Sequence, residues 1–369
     1  MADPSPNMKA PPTIYDVARA AGVSIASVSR VLNGHRNPRQ ETRDRVLHAV
    51  AELGFVPDGA ARALSARLKE VVGVVFRRVS WGETSEGVLA EEDESLQFTD
   101  VINRGIEIAA QRGGYNLLVG SVDVDEQDAH RRIMTMARKS DGLILHDRVL
   151  DPGRLAQLSG HVPVVTMAGV ATLTTGNVRG DNGTGMSELA RHLIHDHGYH
   201  TIGYVAGHAD SPDNIARRLA LAEEAASAGV LFVEGPQWQG NYLASGGARV
   251  ASHLLAEGIR LPRAIVCAND QTALGVMHAL LQHGIDVPGE VAVTGFDDIP
   301  VARHLRPQLT TVRQPIAELG AMAFDLLRSM IASREPGQHD LVLPTRLMRR
   351  ESCGCPPAAT RSDDLEGGG

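Results

Sequence analysis

The sequence predicts a small all-helical N-terminal unit followed by a larger α/β body of two doubly wound subdomains. The opening residues set apolar side chains at helical spacing in three short segments, each followed by a glycine. From Val71 onward, β-rich apolar runs alternate with amphipathic helices, the pattern of parallel sheets covered on both faces. Charge is also divided: residues 1–70 hold ten Lys or Arg against seven Asp or Glu, whereas the 369-residue chain carries a formal net charge of −8. A basic head on an acidic body follows. About 280 residues of α/β pattern exceed what one hydrophobic core serves, which predicts two subdomains with a cleft between them.

Residues 1–12, rich in proline and small polar side chains, are expected to be unstructured. Thr13 caps a first helix with Asp16 at the capping-box position, and Ile14, Val17, Ala18 and Ala21 form its apolar stripe before Gly22. Ser24 caps a second helix whose Val28, Val31 and Leu32 share one face, with Asn33 and Gly34 ending it. A third helix from about Glu41 to Leu53 turns Val46, Leu47, Val50 and Leu53 inward, so that residues 13–57 enclose a small core. Residues 58–70, containing GAARALSARLK, are helix-capable but poor in large apolar side chains and read as a hinge helix. In the body, residues 71–353, the strands are VVGVVF, YNLLVG, DGLILH, PVVTMA, TIGYVAG, RAIVCAND and EVAVTGFDD. Residues 80–97 read as an acidic surface loop, and residues 354–369 as an unstructured tail.

The segment TIYDVARAAGVSIASVSRVLNG, Thr13 to Gly34, is a helix, a glycine-containing turn and a second helix opening with small polar residues. That is the helix-turn-helix arrangement that lays a recognition helix in the major groove. Ser24, Ser27, Ser29 and Asn33 are small donors suited to phosphate oxygens, and Arg30 can form two hydrogen bonds to a guanine edge. Together with TRDRVLHAVAELGFVPDGAARAL, the segment closely resembles the headpiece and hinge of the LacI/GalR family of transcriptional regulators. The resemblance continues to RESC at Arg350–Cys353. It implies a repressor that binds a pseudo-palindromic double-stranded DNA operator as a homodimer. Tyr15, Ile25, Ala26 and Arg30 then occupy base-reading positions, with Ile25 and Ala26 limited to apolar contact with thymine methyls. Leu64, among the small residues Ala60, Ala61, Ala63 and Ser65, corresponds to the leucine that the family wedges into the minor groove.

The body resembles periplasmic sugar-binding proteins and the effector domains of the same family, which implies a small-molecule effector, above all a sugar, in the cleft. Arg217 after SPDNIA, Asn269 in CAND and Asp297 in TGFDD carry the pocket motif. An arginine, an amide and a carboxylate supply the donors and acceptors that a polyhydroxylated ligand needs. Arg217 and Asp297 are expected to face the cleft from opposite subdomains; an ion pair between them is the alternative role. Phe98 is placed to stack on a ligand ring. Ala220 departs from the glycine usual in the family, and Trp81, Trp238 and Tyr242 serve equally as stacking or as packing residues.

Other chemistries find little support. GDNGTG, Gly180–Gly185, lacks both the GxGxxG spacing and a P-loop lysine, and no GxSxG elbow accompanies a triad, so no enzyme and no cofactor are expected. His192, His195, His197 and His200 read as cationic groups at a helix end, and Cys353 and Cys355 alone cannot supply four ligands, so no metal is expected. Three cysteines are too few for a disulfide framework. Without a basic-then-apolar leader or an apolar run of about 20 residues, the expectation is a cytoplasmic protein with no membrane partner. The tail PPAATRSDDLEGGG lacks the heptads of a tetramerising coiled coil, which leaves a dimer.

Overall fold

The computed structural model describes residues 12–32, 38–55, 68–78, 85–123, 128–146, 148–333 and 339–357. The chain divides into two compact units, Met1–Glu70 and Val71–Gly369. The expected hinge lies outside the described residues except for 68–70.

In the first unit, α1 (Ile14–Ala21), α2 (Ile25–Leu32) and α3 (Gln40–Leu53) close around Val17, Val28 and Val46, all fully buried, with Ala21, Val31, Ala49 and Phe55 beside them. The Asp16 carboxylate accepts from the Thr13 backbone N–H at 2.9 Å, as the capping box requires. Gly22 and Gly54 take the left-handed conformation that ends α1 and α3. The inward face of α3 differs from expectation: Leu47 is 50% exposed and Leu53 36% exposed. Leu47 lies about 100° around the helix from Val46, and the small Ala49 takes the seat against α1 and α2 instead.

The second unit contains two parallel sheets. The first follows the order β2 (Asn116–Asp123), β1 (Val71–Arg78), β3 (Gly142–His146), β4 (Val164–Met167), β5 (Gly176–Gly180) and β11 (His339–Leu343). The second follows β7 (Leu231–Val233), β6 (Thr201–Val205), β8 (Ala264–Cys267) and β9 (Ala292–Thr294). Each sheet therefore places its second strand outside its first and its third and fourth on the other side, so both have a switch point where ligands bind. The apolar runs are continuous because alternate residues serve opposite faces. Val72, Val74 and Ile144 pack on one side of the first sheet, while Val75, Leu143 and Leu145 pack on the other. A short antiparallel pair, β10 (Thr311–Arg313) and β12 (Arg346–Met348), lies beside the second sheet.

Two expectations are corrected. Ser85–Gly113 forms one helix, α4, so the stretch read as an acidic loop over 80–97 is helical from Ser85; its Glu, Ala and Leu content favours that state. The expected tail is structured at its start, where Gly354 adopts a left-handed turn and Cys355 packs against the second sheet's core; residues 358–369 lie outside the described residues. The remaining body helices are α5 (Ala129–Lys139), α6 (Pro152–Ser159), α7 (Asn182–Arg191), α8 (Pro212–Ser227), α9 (Ala244–Ala256), α10 (Asp270–Gln282) and α11 (Ile316–Ser333). Helix α11 returns to the first sheet and lies tightly on α4. A Cβ at Gly105 would stand 2.0 Å from the Ala317 carbonyl oxygen, and one at Gly320 2.2 Å from that of Ile102.

Candidate functional site

In the helical unit, Ser24 caps α2, its Oγ accepting from the Ser27 backbone N–H at 3.2 Å and lying 2.9 Å from the Ser27 hydroxyl. Burial of Val28 and Val31 turns the opposite face of α2 outward, where Ile25 (41% exposed), Ala26 and Arg30 meet solvent. Arg30 is steadied by its Nε–H donating to the Ala26 carbonyl at 3.2 Å. Tyr15, on α1, is 64% exposed. Ser27 and Ser29 are half-buried. Asn33 and Leu64 lie outside the described residues.

In the body, Arg217, Asn269 and Asp297 gather at the carboxyl ends of the second sheet. Arg217 is only 2% exposed; its Nε–H donates to Asn182 Oδ1 at 2.7 Å and its Nη1 to the Ala268 carbonyl at 2.6 Å, with the guanidinium carbon 3.8 Å above the Phe296 ring. Its Nη2 lies 3.4 Å from Asp213 and 3.8 Å from Asp297. Asp297 accepts from Gln314 Nε2 at 2.7 Å. Burial lifts its carboxyl to about 6, against the pull of Arg217 and Gln314 in the other direction. Its backbone is held at φ +119°, which separates it from Asp298, the carboxylate bound instead to Arg313 and Arg350. Asn269 caps α10, accepting from the Thr272 N–H at 3.0 Å, while its Nδ2 donates to the Tyr242 carbonyl at 3.1 Å.

The expected arrangement across the cleft is therefore corrected: Arg217 and Asp297 belong to the same subdomain. Arg217 sits on the helix after β6 and Asp297 follows β9, and both strands are in the second sheet. Their 3.8 Å separation is an ion-pair distance, which fits the alternative role, and is too long for a direct hydrogen bond.

The first sheet contributes different groups. Phe76 and His146, at the ends of β1 and β3, pack at 4.1 Å between ring centroids. His146 is held neutral, its pKa lowered to about 3 by burial, and its Nε2 has no hydrogen-bond partner. Arg148 reaches from the segment after β3 to Asp210, after β6, at 2.9 Å. Phe98 is half-buried and packs against the first sheet's core. Trp238 is a core residue, 1% exposed, whereas the Tyr242 hydroxyl reaches Ser211 Oγ at 3.1 Å beside the cluster. Sequence reasoning missed Asn182, Asp213, Gln314 and His146. Asp213 alone had a local signal, standing four residues before Arg217 on one helix.

Comparison with known proteins identifies the family. Residues 13–58 match the bacterial regulatory proteins of the lacI family, and residues 190–353 match the periplasmic binding protein-like domain. The HTH-type transcriptional regulator GalR of Escherichia coli K12 is 32% identical over 347 residues, spanning 93% of this chain and 96% of that protein. The Lac repressor dimer, solved bound to operator and the anti-inducer ONPF, superposes with a TM-score of 0.78 at 25% identity, covering 93% of this chain and 99% of that one. The transcriptional regulator CelR in complex with cellobiose matches with a TM-score of 0.65 at 29% identity, covering 92% and 99%. These relatives are regulators rather than enzymes. The chain belongs to the LacI/GalR family of DNA-binding transcriptional regulators.

Proposed function

We propose that this protein is a cytoplasmic repressor that binds a pseudo-palindromic operator as a homodimer and is controlled by a sugar in the core cleft. In this reading residues 13–57 are the DNA-binding headpiece, 58–70 the hinge helix and 71–353 the effector-binding and dimerisation core. The carrying observation is the outward row of Tyr15, Ile25, Ala26 and Arg30 over a core closed by Val28 and Val31. Those side chains are free to meet base edges, while Ser24, Ser27, Ser29 and Asn33 serve phosphates and Leu64 wedges the operator centre. The sugar reading rests on Arg217, Asn269 and Asp297 lying together at strand ends, a set of donors and acceptors suited to hydroxyls, and it agrees with the cellobiose bound to CelR. In this reading Phe98, packed on the first sheet's core, stacks on the ligand ring from the first subdomain.

Gel-shift titration tests the DNA half. Arg30→Ala is expected to lose about 1–3 kcal/mol of specific operator binding while keeping a weak, salt-sensitive association with any duplex. Unchanged discrimination between operator and random DNA would remove Arg30 from the reading. Thermal-shift screening against sugars, nucleosides and phosphorylated metabolites identifies the effector class, because a ligand that binds only the folded state raises the melting temperature, and more so the further its concentration exceeds its Kd.

A further inference from the structure

The body contains a second cluster away from the cleft, where α7 passes into a π-helical turn, His192–Asp196. Such single turns are rare and recur at functional sites. Its i→i+5 geometry brings His192 and His197 onto one side, with their Nε2 atoms 3.2 Å apart. The chain end meets them there. Cys353 Sγ lies 3.4 Å from His192 Nε2, and Cys355 Sγ lies 3.4 Å from His192 Nε2 and 3.5 Å from His197 Nε2. Among the described residues these are the only grouped His, Cys, Asp or Glu side chains with metal-ligand spacing, and all four donor atoms fall within 4.8 Å of one another.

We propose that His192, His197, Cys353 and Cys355 form a tetrahedral site for a thiophilic divalent cation of the zinc class. The one nitrogen–nitrogen distance and the three nitrogen–sulfur distances match that geometry. With bonds of about 2.0–2.1 Å to nitrogen and about 2.3 Å to sulfur, a tetrahedral ion holds two nitrogens about 3.3 Å apart and a nitrogen and sulfur about 3.5 Å apart. Two neutral imidazoles and two thiolates balance a divalent charge, and a full set of four protein ligands is the structural rather than the catalytic type.

Neighbouring groups are arranged as such a site needs. His192 Nδ1 lies 2.7 Å from Asp196 Oδ2, so the carboxylate holds the tautomer that leaves Nε2 free for the ion. Arg349 approaches the same carboxylate at 3.5 Å. The Thr310 hydroxyl donates to Cys353 Sγ at 3.1 Å, and the Tyr199 hydroxyl donates to the Cys353 carbonyl at 2.8 Å while its ring stacks on His197. Gly354, at φ +97°, makes the turn that points both thiols to one side; a Cβ there would stand 3.0 Å from the Tyr199 hydroxyl. An open depression of about 490 Å³, lined in part by His192, His195 and Asp196, gives the cluster an approach from solvent. The site ties residues 353–355 to the end of α7. The histidines and the cysteines, each pair insufficient alone, together complete one coordination sphere.

The test uses the full-length, reduced protein stripped with a chelator and titrated with cobalt(II) and then zinc(II). Wild type is expected to take up about one ion per chain, to show the visible bands of tetrahedral cobalt with thiolate charge transfer, and to lose both when zinc displaces cobalt. Zinc should also raise the melting temperature. Cys355→Ser and His197→Gln, both at incompletely buried positions, should weaken uptake at least 100-fold, whereas His195→Ala, an exposed neighbour outside the cluster, should leave it unchanged. Three results would overturn the proposal: no thiolate charge transfer, equal uptake by Cys355→Ser, or a Cys353–Cys355 disulfide in protein isolated without oxidant.

Discussion

The two halves of the α/β body share a strand order but present different chemistry to the cleft. The four-stranded half holds Arg217, Asp213, Asp297, Asn182 and Gln314 in one buried network, with Asn269 fixed as a helix cap nearby. The six-stranded half offers Phe76 against a neutral His146, together with Arg148 reaching across to Asp210. In the proposed reading, one wall would orient a ligand through fixed polar groups and the other would supply ring surface and a latch. Orientation and closure are thereby assigned to different subdomains, and a substitution on one wall should not imitate a substitution on the other.

The largest expected effect is on the polar wall. Asp297→Ala removes a buried acceptor facing Arg217 and should loosen effector binding by about 100-fold, near 3 kcal/mol, with operator affinity in the absence of effector preserved. Calorimetry with the identified effector, paired with operator titration, checks both parts. A mutant that responds as wild type would place the orienting groups elsewhere.

Acidity should move the same wall by a smaller amount. Burial raises the Asp297 carboxyl from 3.8 to about 6, despite Arg217 and Gln314, with Asp213 also facing it. The folded state thus holds the proton more tightly than the unfolded chain, so this group's contribution to stability falls as pH rises from about 4 to about 6 and is level above that. Effector affinity runs the other way, because the ionised acceptor is the form that prevails above about 6. Binding should be up to about tenfold weaker at pH 5 than at pH 7.5, and Asp297→Asn should flatten the dependence. Affinity profiles of the two proteins decide the matter.

The smallest effect belongs to the latch. Asp210 is 71% exposed on its side chain, so its pair with Arg148 is well screened, and Arg148→Ala should cost about 1 kcal/mol or less of effector affinity. Stopped-flow release should show the change mainly as faster dissociation. A loss larger than that of Asp297→Ala would reverse the roles assigned to the walls.

Much of this organisation was legible in the sequence, and what escaped shares a cause. The seven apolar runs all became parallel strands, because a strand buried on both faces needs no polar alternation and so stands out. β5 was missed since GNVRG has no such run, although Val178 is buried. Arg217, Asn269 and Asp297 stood out through motifs at strand ends, but the subdomain that each serves depends on the order of strands, which no local window contains. Asn182, Gln314 and His146 reach the cleft region from elements far apart in sequence and carry no mark of it. The same separation kept His192 and His197 apart from Cys353 and Cys355.

The return of α11 and β11 to the first sheet sets a timetable for synthesis. The headpiece core uses only residues 14–55 and can close while most of the chain is still unmade. The six-stranded half waits for Phe324, Leu327 and Leu343, and the four-stranded half for Val312 and Cys353. Neither sheet is finished until translation is almost over. A chain released early would consequently carry a folded DNA-binding head on two open apolar sheets, a species for proteases to clear rather than a partial regulator.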